Sequence, residues 1–352
     1  MSHSSRRRAF TLIELLVVAT IIAILAGAAV VAIGHALEST KIAKTCALIA
    51  KLNAIVMQRW ESYRFRRVPT EMPQLVMRPT DRKVIPTPPS AAAQVRCDAV
   101  RDLMRVEMPE RWQDIATGPN AIPIYFNPLT RQPYIDASGK GAATATVPSN
   151  SLNSAYFAFF KSMVSNPNFT ANEFNHQGAK CLYLLVTMGG DDPDVLENFS
   201  QDEIADVDGS GSKCFIDAWG NPIEFLRWAP GYMSRLQPNP PTDADQTDPT
   251  QVYGSPTPTV AGMPHTFALY PLIYSAGPDG YYDIVNDQDP PRQFTYTLTA
   301  VMNNPFYSCG GASVQFSDGP MGTPAILPLS DRQTGRSIGN ADNIDNHSLG
   351  RR

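Results

Sequence analysis

An uninterrupted apolar run near the amino terminus constrains this chain more than any other feature of its sequence. Within residues 12–33 the one charged side chain is Glu14, and arginines occupy positions 6–8 just before the run. A helix of about 20 apolar residues spans a lipid bilayer, whereas the apolar core of a cleaved secretory signal has only about 7–15 residues. The sequence therefore predicts a membrane-spanning helix that stays in the protein, with the arginines cytoplasmic and the chain after Gly34 outside.

Glu14 is the residue in this run that needs an explanation. A carboxylate at the centre of a membrane helix costs about 2.5–3.5 kcal/mol, and less near the headgroups. One explanation is that Glu14 reaches back to the cytoplasmic headgroups. The other is a cation at the same depth, which a free amine created by cleavage just before Phe10 would supply. The residues alone leave both explanations open.

The order of a basic leader, a Phe-Thr-Leu-Ile-Glu stretch at residues 10–14 and an apolar run is specific. It resembles the class III signal of type IV pilins and type II secretion pseudopilins. The resemblance implies that a prepilin peptidase cleaves between Ala9 and Phe10, that Phe10 becomes N-methylated, and that Glu14 serves filament assembly. Ala9 stands where this family usually has glycine.

Helical signals continue well beyond the apolar run. No proline occurs between Met1 and Val68, and apolar residues recur at every seventh position of the later part: Ile42, Ile49, Val56 and Tyr63. This spacing is that of one face of a helix. The pattern predicts a single helix over residues 10–63, whose first half lies in lipid and whose second half packs one face on a globular domain.

The predicted organisation has four parts. They are a cytoplasmic leader (1–9), the transmembrane half of the helix (10–34), its amphipathic half (35–63) and an extracytoplasmic domain with insertions (64–352). The 31 prolines and 23 glycines favour a loop-rich domain. The predicted fold class is α+β and pilin-like, with the long helix packed on a domain that holds a small antiparallel sheet. A net charge of −4 gives no indication of a nucleic-acid partner.

Several local patterns predict elements of this domain. Helices are expected at 90–106, with Ser90 as the cap, and at 151–164. A helix or strand that ends at Met188 is expected after a capping box that starts at Thr170. A second capping box, Ser200 to Glu203, precedes a stretch too short to be convincing. The turn Gly220-Asn221-Pro222 predicts a β-hairpin within 214–228, a further strand is expected within 267–275, and residues 237–264 are expected to be an exposed, mobile loop.

The five cysteines are widely spaced and fit no zinc motif. A disulfide is left open by the sequence, because an extracytoplasmic location permits one while the odd count leaves at least one thiol over. Cys181 and Cys214 border apolar runs, so burial as small hydrophobic residues is the commoner expectation for them.

A second resemblance lies in the domain. The stretch Asp-Ala-Trp-Gly-Asn-Pro-Ile-Glu-Phe at 217–225, followed by Tyr-Ser-Ala-Gly-Pro-Asp-Gly at 274–280, is similar to the carboxyl-terminal signature of the major pseudopilin. Ala218 stands where that subfamily has proline, and the spacing between the two parts is longer than usual. The resemblance implies a calcium site, for which the candidate ligands are Asp279, Asp283, Asp287, Asp289, Asp342 and Asp345. Calcium prefers six to eight such oxygens, but a solvated acidic loop is the alternative.

Another acidic stretch, Asp-Val-Asp-Gly-Ser-Gly at 206–211, has half of a calcium-loop pattern and lacks the third acid and the distal glutamate. A plain turn is the preferred interpretation there.

Sequence motifs for catalysis are absent. None of the five histidines has metal-motif spacing, and no nucleophile elbow, phosphate-binding loop or dinucleotide fingerprint occurs. The expected function is that of a structural subunit, a pseudopilin of a type II secretion or type IV pilus-like filament, and not an enzyme. The expected partners are prepilin peptidase, other pseudopilin subunits and the bacterial inner membrane, crossed once with the amino terminus in the cytoplasm. The alternative is a periplasmic enzyme or binding protein that uses the helix only as an anchor.

Overall fold

The structure is a computed structural model. It describes residues 12–67, 75–77, 84–86, 89–116, 151–165, 175–190, 194–238, 242–251, 266–284 and 342–349. The chain divides into two compact units, Met1–Lys44 and Thr45–Arg352.

The first element is a long helix, α1 (Leu12–Ser62), of 51 residues. From Thr45 onward one face of it is buried, and the buried side chains recur at three- and four-residue intervals: Thr45, Leu48, Ile49, Leu52, Val56 and Trp60. Tyr63 continues this face and is also buried, whereas Ile42 is only half-buried. The single helix predicted from the apolar period is therefore confirmed.

In the described part of the chain, four shorter α-helices follow: α2 (Pro89–Glu107), α3 (Trp112–Ala116), α4 (Ser151–Val164) and α5 (Gln177–Gly189). The helices predicted at 90–106 and 151–164 are confirmed, but Ser90 lies inside α2, which begins at Pro89, so its prediction as the cap is wrong. A core cluster of Trp112, Ile115, Tyr156, Cys181 and Leu184 joins α3, α4 and α5. The expected burial of Cys181 and Cys214 is also confirmed.

The amino terminus of α5 is capped differently from the sequence expectation. Thr170, the predicted capping residue, lies outside the described residues. The carboxylate of Glu224 accepts a hydrogen bond from Ala179 N in the first turn of α5 (3.1 Å). A carboxylate in this place also complements the positive end of the helix dipole.

The strands within the described ranges are short and form three small antiparallel sheets. β1 (Leu75–Met77) pairs with β2 (Val84–Pro86), and β3 (Ile204–Ala205) pairs with β4 (Cys214–Phe215). The third sheet has the order β5 (Glu224–Leu226), β6 (Leu272–Ser275) and β7 (Ile344–Asp345). In this sheet Tyr274 of β6 lies opposite Glu224 on one side and Asp345 on the other. A long helix with a domain of small antiparallel sheets confirms the predicted α+β class.

The predicted hairpin within 214–228 is only partly right. Its turn forms as expected, with Ile216 bridged to Pro222 and a bond of 2.8 Å from Asp217 N to Asn221 O. Beyond the turn, however, β4 pairs with β3 and β5 pairs with β6. The turn therefore connects two sheets, because each of its flanking strands finds its partner elsewhere.

One strand was not predicted from the sequence, and one loop differs from expectation. Ile344 and Asp345 form β7, for which the sequence offered no pattern. Part of the loop expected to be exposed is fixed: the carboxylate of Asp245 is 2.7 Å from the guanidinium of Arg101 in α2, and both are buried. A buried, paired carboxylate holds this part of the loop on the domain.

The short Ser200 capping box does form. Ser200 N donates to the carboxylate of Glu203 (2.8 Å) at the start of a single 3₁₀ turn, Gln201–Glu203.

Candidate functional site

Within the first unit, α1 is apolar around its circumference over residues 15–33, where Thr20 is the one polar side chain. Its large side chains are exposed, from Leu12 at 82% to Leu37 at 61%. Thr20 donates its hydroxyl to Val17 O at 2.8 Å, so that this polar group is satisfied within the helix. By length and composition α1 can cross a membrane, where each backbone and hydroxyl group needs such a partner.

Glu14 lies in the first turn of α1. The predicted cleavage site, between Ala9 and Phe10, lies outside the described residues.

The second part of α1, within the other unit, is tied to the domain by polar and aromatic contacts spread along its length. Thr45 Oγ1 accepts from Ala218 N (3.2 Å), and Lys51 Nζ donates to Asn198 O (3.1 Å). Further along are Asn53 with Asn346 (2.7 Å between the amide groups) and the rings of Trp60 and Tyr270, whose centroids are 4.9 Å apart. These polar contacts could not be predicted from the sequence, because Thr, Lys and Asn on a helix are usually expected to face solvent.

A buried carboxylate anchors the chain just after α1. Glu107 accepts from the Tyr63 hydroxyl (2.7 Å) and from both terminal nitrogens of Arg66 (2.6 and 2.8 Å). Burial raises the pKa of Tyr63, and the negative charge of Glu107 raises it further. Tyr63 therefore stays a hydrogen-bond donor throughout the physiological pH range.

The two parts of the second resemblance come together in the structure. Asp217 Oδ1 accepts from Trp219 N and Asn221 N, each at 2.9 Å, while Oδ2 accepts from Ser275 Oγ at 2.7 Å, 58 residues further along the chain. Burial raises the pKa of Asp217, against the effect of these hydrogen bonds. Asn221 Nδ2 in turn donates to Gly277 O (3.3 Å), so that the two turns form one connected unit.

The six candidate calcium ligands divide into three groups. Asp287 and Asp289 lie outside the described residues. Asp345 directs both carboxylate oxygens at Ser348, accepting from its N–H at 2.9 Å and its hydroxyl at 2.7 Å, which leaves it poorly placed to bind a cation. Asp279, Asp283 and Asp342 remain, of which Asp279 accepts from Tyr281 N (2.9 Å).

Within the described part of the chain, no cluster of three or more His, Cys, Asp or Glu could hold a metal ion. Calcium binding stays a prediction from the resemblance.

The acidic stretch at 206–211 forms a turn around its own carboxylates, as preferred from the sequence. Asp206 accepts from Ser210 N (3.2 Å) and Gly211 N (2.8 Å), and Asp208 accepts from the ammonium of Lys180 (2.8 Å). Although burial opposes ionisation, the bond with Lys180 holds the pKa of Asp208 below its usual value. A buried lysine of the protein itself supplies the positive charge beside this turn.

A buried ionic cluster lies between the helices and the three-stranded sheet. The guanidinium of Arg227 is 3.2 Å from the carboxylates of both Glu110 and Asp114, and it donates to Met108 O at 2.7 Å. Burial disfavours ionisation of Asp114, but the positive charge of Arg227 outweighs this and lowers the pKa of that carboxyl. The cluster joins the end of β5 to α3 and to the segment between α2 and α3.

Comparison with known proteins bears on the amino-terminal segment. The family model of the prokaryotic N-terminal methylation motif matches residues 4–30, which is the prepilin-type signal of pilins and pseudopilins. No curated protein and no solved structure matches the chain. The protein therefore carries a prepilin-type signal on a helix that suits membrane anchoring. Such a motif implies processing by a prepilin peptidase and assembly with other pilin-like subunits, and it points to a structural subunit.

Proposed function

We propose that this protein is a pseudopilin-like subunit of a type II secretion or type IV pilus-like filament. The observation that carries the proposal is the methylation motif at residues 4–30 at the start of a 51-residue helix. Over residues 12–33 that helix is apolar except for Glu14 and Thr20, and from Thr45 onward it is bound to an α+β domain. An anchor alone would need the first part and not the motif.

In the proposed mechanism, the helix lies in the inner membrane with its leader in the cytoplasm and its domain in the periplasm. A prepilin peptidase removes residues 1–9 and methylates Phe10. The new amine of one subunit then pairs with Glu14 of a neighbour. Pairing offsets the cost of a buried carboxylate, about 2.5–3.5 kcal/mol, and it fixes the register of neighbouring helices because a displaced subunit leaves both charges unpaired.

The first test is the intact mass and amino-terminal sequence of the full-length protein expressed with and without a prepilin peptidase. A chain that begins at N-methylated Phe10 only in the presence of the peptidase supports the proposal. A chain that keeps its arginine leader under both conditions contradicts it, and favours a protein anchored by the helix alone.

The same preparation tests Glu14. The variant Glu14→Ala is expected to be processed and to stay in the membrane, but to enter filaments roughly 100-fold less, the ratio that corresponds to about 3 kcal/mol. Glu38→Ala, on the same helix beyond the apolar run, is the matched control and should assemble normally. Filament incorporation is measured in the sheared or detergent-resistant fraction. Normal incorporation of Glu14→Ala would rule out the pairing.

We also propose that the acidic turn after β6 binds calcium, on the strength of its resemblance to the major pseudopilin. If calcium binds the folded state and not the unfolded state, a calcium concentration of 100 times the dissociation constant would raise the free energy of unfolding by about 2.7 kcal/mol. The expected result is a melting temperature several degrees higher in calcium than in a chelator, with little response to magnesium. Asp279→Asn should reduce this difference, whereas Asp202→Asn, at an exposed position, should leave it intact. An identical melting temperature in calcium and in chelator would contradict calcium binding.

A further inference from the structure

Residues Asp342–Leu349, here called the clasp, connect α1 to the three-stranded sheet. Asn346 N donates to Ile273 O (3.1 Å), and the side-chain oxygen of Asn346 accepts from Ile273 N (2.9 Å). The side-chain nitrogen donates to Pro271 O (2.9 Å) and to Asn53 of α1 (2.7 Å). A single asparagine thus continues the ladder of β6 and binds the helix.

His347, the next residue of the clasp, is buried, with 6% of its surface exposed. Its Nδ1 is 2.9 Å from Ser234 Oγ and its Nε2 is 3.0 Å from Pro271 O. Ser234 Oγ already accepts from Leu236 N (3.2 Å) and Gln237 N (3.1 Å), so its own proton is left to donate to Nδ1. A carbonyl can only accept, so Nε2 carries the imidazole proton. The surroundings therefore select one neutral tautomer of His347.

Among the residues that the structure describes, none offers an acceptor for a second proton on the imidazole. It would lie on Nδ1 and point at a hydroxyl oxygen that already accepts two hydrogen bonds, in a buried site. A buried donor without an acceptor costs about 1–3 kcal/mol, and more when it is charged.

The charged and titratable groups around the imidazole do not reverse this preference. Asp345, on the clasp itself, favours protonation, but burial outweighs it and lowers the pKa of His347. Tyr232 and Tyr270 present ring edges to the imidazole at 5.5 and 6.5 Å between centroids. Arg235 of the turn beside it is exposed. On the α1 side, Glu61 and Arg64 are charged groups that act on Tyr270.

We infer that acid releases the clasp. Protonation of His347 breaks the hydrogen bonds of Asn346 with β6 and with α1, while the helical core stays folded. The inference rests on contacts within the domain and holds whichever filament the protein enters. In the folded state the imidazole of His347 binds a proton more weakly than it does in the unfolded chain, where its pKa has the ordinary value of 6.5. The stability of the clasp is therefore present at neutral pH and is lost as the pH falls below about 6.5.

The test is hydrogen–deuterium exchange of the full-length protein in detergent at pH 7.5 and pH 5.0, corrected for the intrinsic pH dependence of exchange. The amides of Asn346 and Ile273 are expected to lose protection by at least about tenfold at the lower pH, while α5 keeps its protection. His347→Gln, which retains a donor for Pro271 O but does not titrate, should abolish the pH response. His35→Gln, at an exposed position on α1, should respond like the wild type.

A second variant keeps the test decisive if His347→Gln fails to fold. Ser234→Ala removes the hydroxyl that blocks Nδ1, so the midpoint of clasp release should move up towards pH 6.5. The inference is overturned if clasp protection is equal at the two pH values, if His347→Gln keeps the response, if the Ser234→Ala midpoint does not move, or if α5 loses protection in parallel with the clasp.

Discussion

Replacing Arg227 with methionine is expected to lower the free energy of unfolding by about 3–5 kcal/mol, the usual result of removing one partner from a buried ion pair. The side chain of Arg227 is only 2% exposed, and its guanidinium lies between Glu110 and Asp114. Methionine preserves much of the side-chain volume, so the loss in the free energy of unfolding reports mainly the removal of the positive charge. Two carboxylates and the carbonyl of Met108 would lose a donor that water cannot replace at that depth.

The measurement is urea-induced unfolding of the full-length protein in detergent, with the midpoint and slope compared between variants. Arg111→Met is the matched control, because Arg111 also contacts Glu110 (2.8 Å) but has a side chain 19% exposed. It should lose about 1 kcal/mol or less, as partly solvated pairs do. Equal losses for the two variants would show that burial of the Arg227 cluster is not what determines its contribution.

Gly277→Ala should be the second strongly destabilising change, at about 2–4 kcal/mol. Gly277 has φ of 72°, and a Cβ there would lie 2.5 Å from Asp342 O. Because that atom belongs to the backbone of the clasp, the clash is relieved only by moving the chain that leads into β7.

Gly280→Ala separates the two causes of this loss. Gly280 has nearly the same φ, 77°, but the nearest atom to its Cβ would be Asn221 Oδ1 at 3.7 Å. It should therefore lose only the cost of the left-handed conformation, about 1–2 kcal/mol. The same urea experiment compares the two variants, and a Gly280→Ala loss as large as that of Gly277→Ala would contradict a steric role for Asp342.

Features with a local period or a fixed order could be predicted from the sequence. The α1 helix follows from the absence of proline and from the seven-residue recurrence that ends at Tyr63, and the methylation motif from the order of residues 4–30. The turn at Gly220 was predictable because Gly-Asn-Pro restricts the backbone locally. In each case the information lies within a few turns of helix or a few residues of chain.

Features that depend on distant partners could not be predicted in this way. Arg227 contacts Glu110 across 117 residues of sequence, and an isolated arginine after an apolar stretch gives no indication of burial. The pairing of β5 with β6 and not with β4 depends on residues near 274, and β7 has only two residues. The calcium site remains a prediction because Asp287 and Asp289 lie outside the described residues and Asp345 is bound to Ser348.

The contacts that tie α1 to the domain also determine when, during synthesis of the chain, α1 can pack on the domain. Thr45 finds its partner Ala218 173 residues later in the chain, and Asn53 finds Asn346 293 residues later. At about 5–20 residues per second, a ribosome needs roughly 15–60 s to make the second of these partners. For that interval the apolar stripe of α1, from Leu48 to Val56, has been synthesised but the surface that covers it has not. The nascent chain therefore passes through a long stage in which this stripe must be shielded by something other than its own domain.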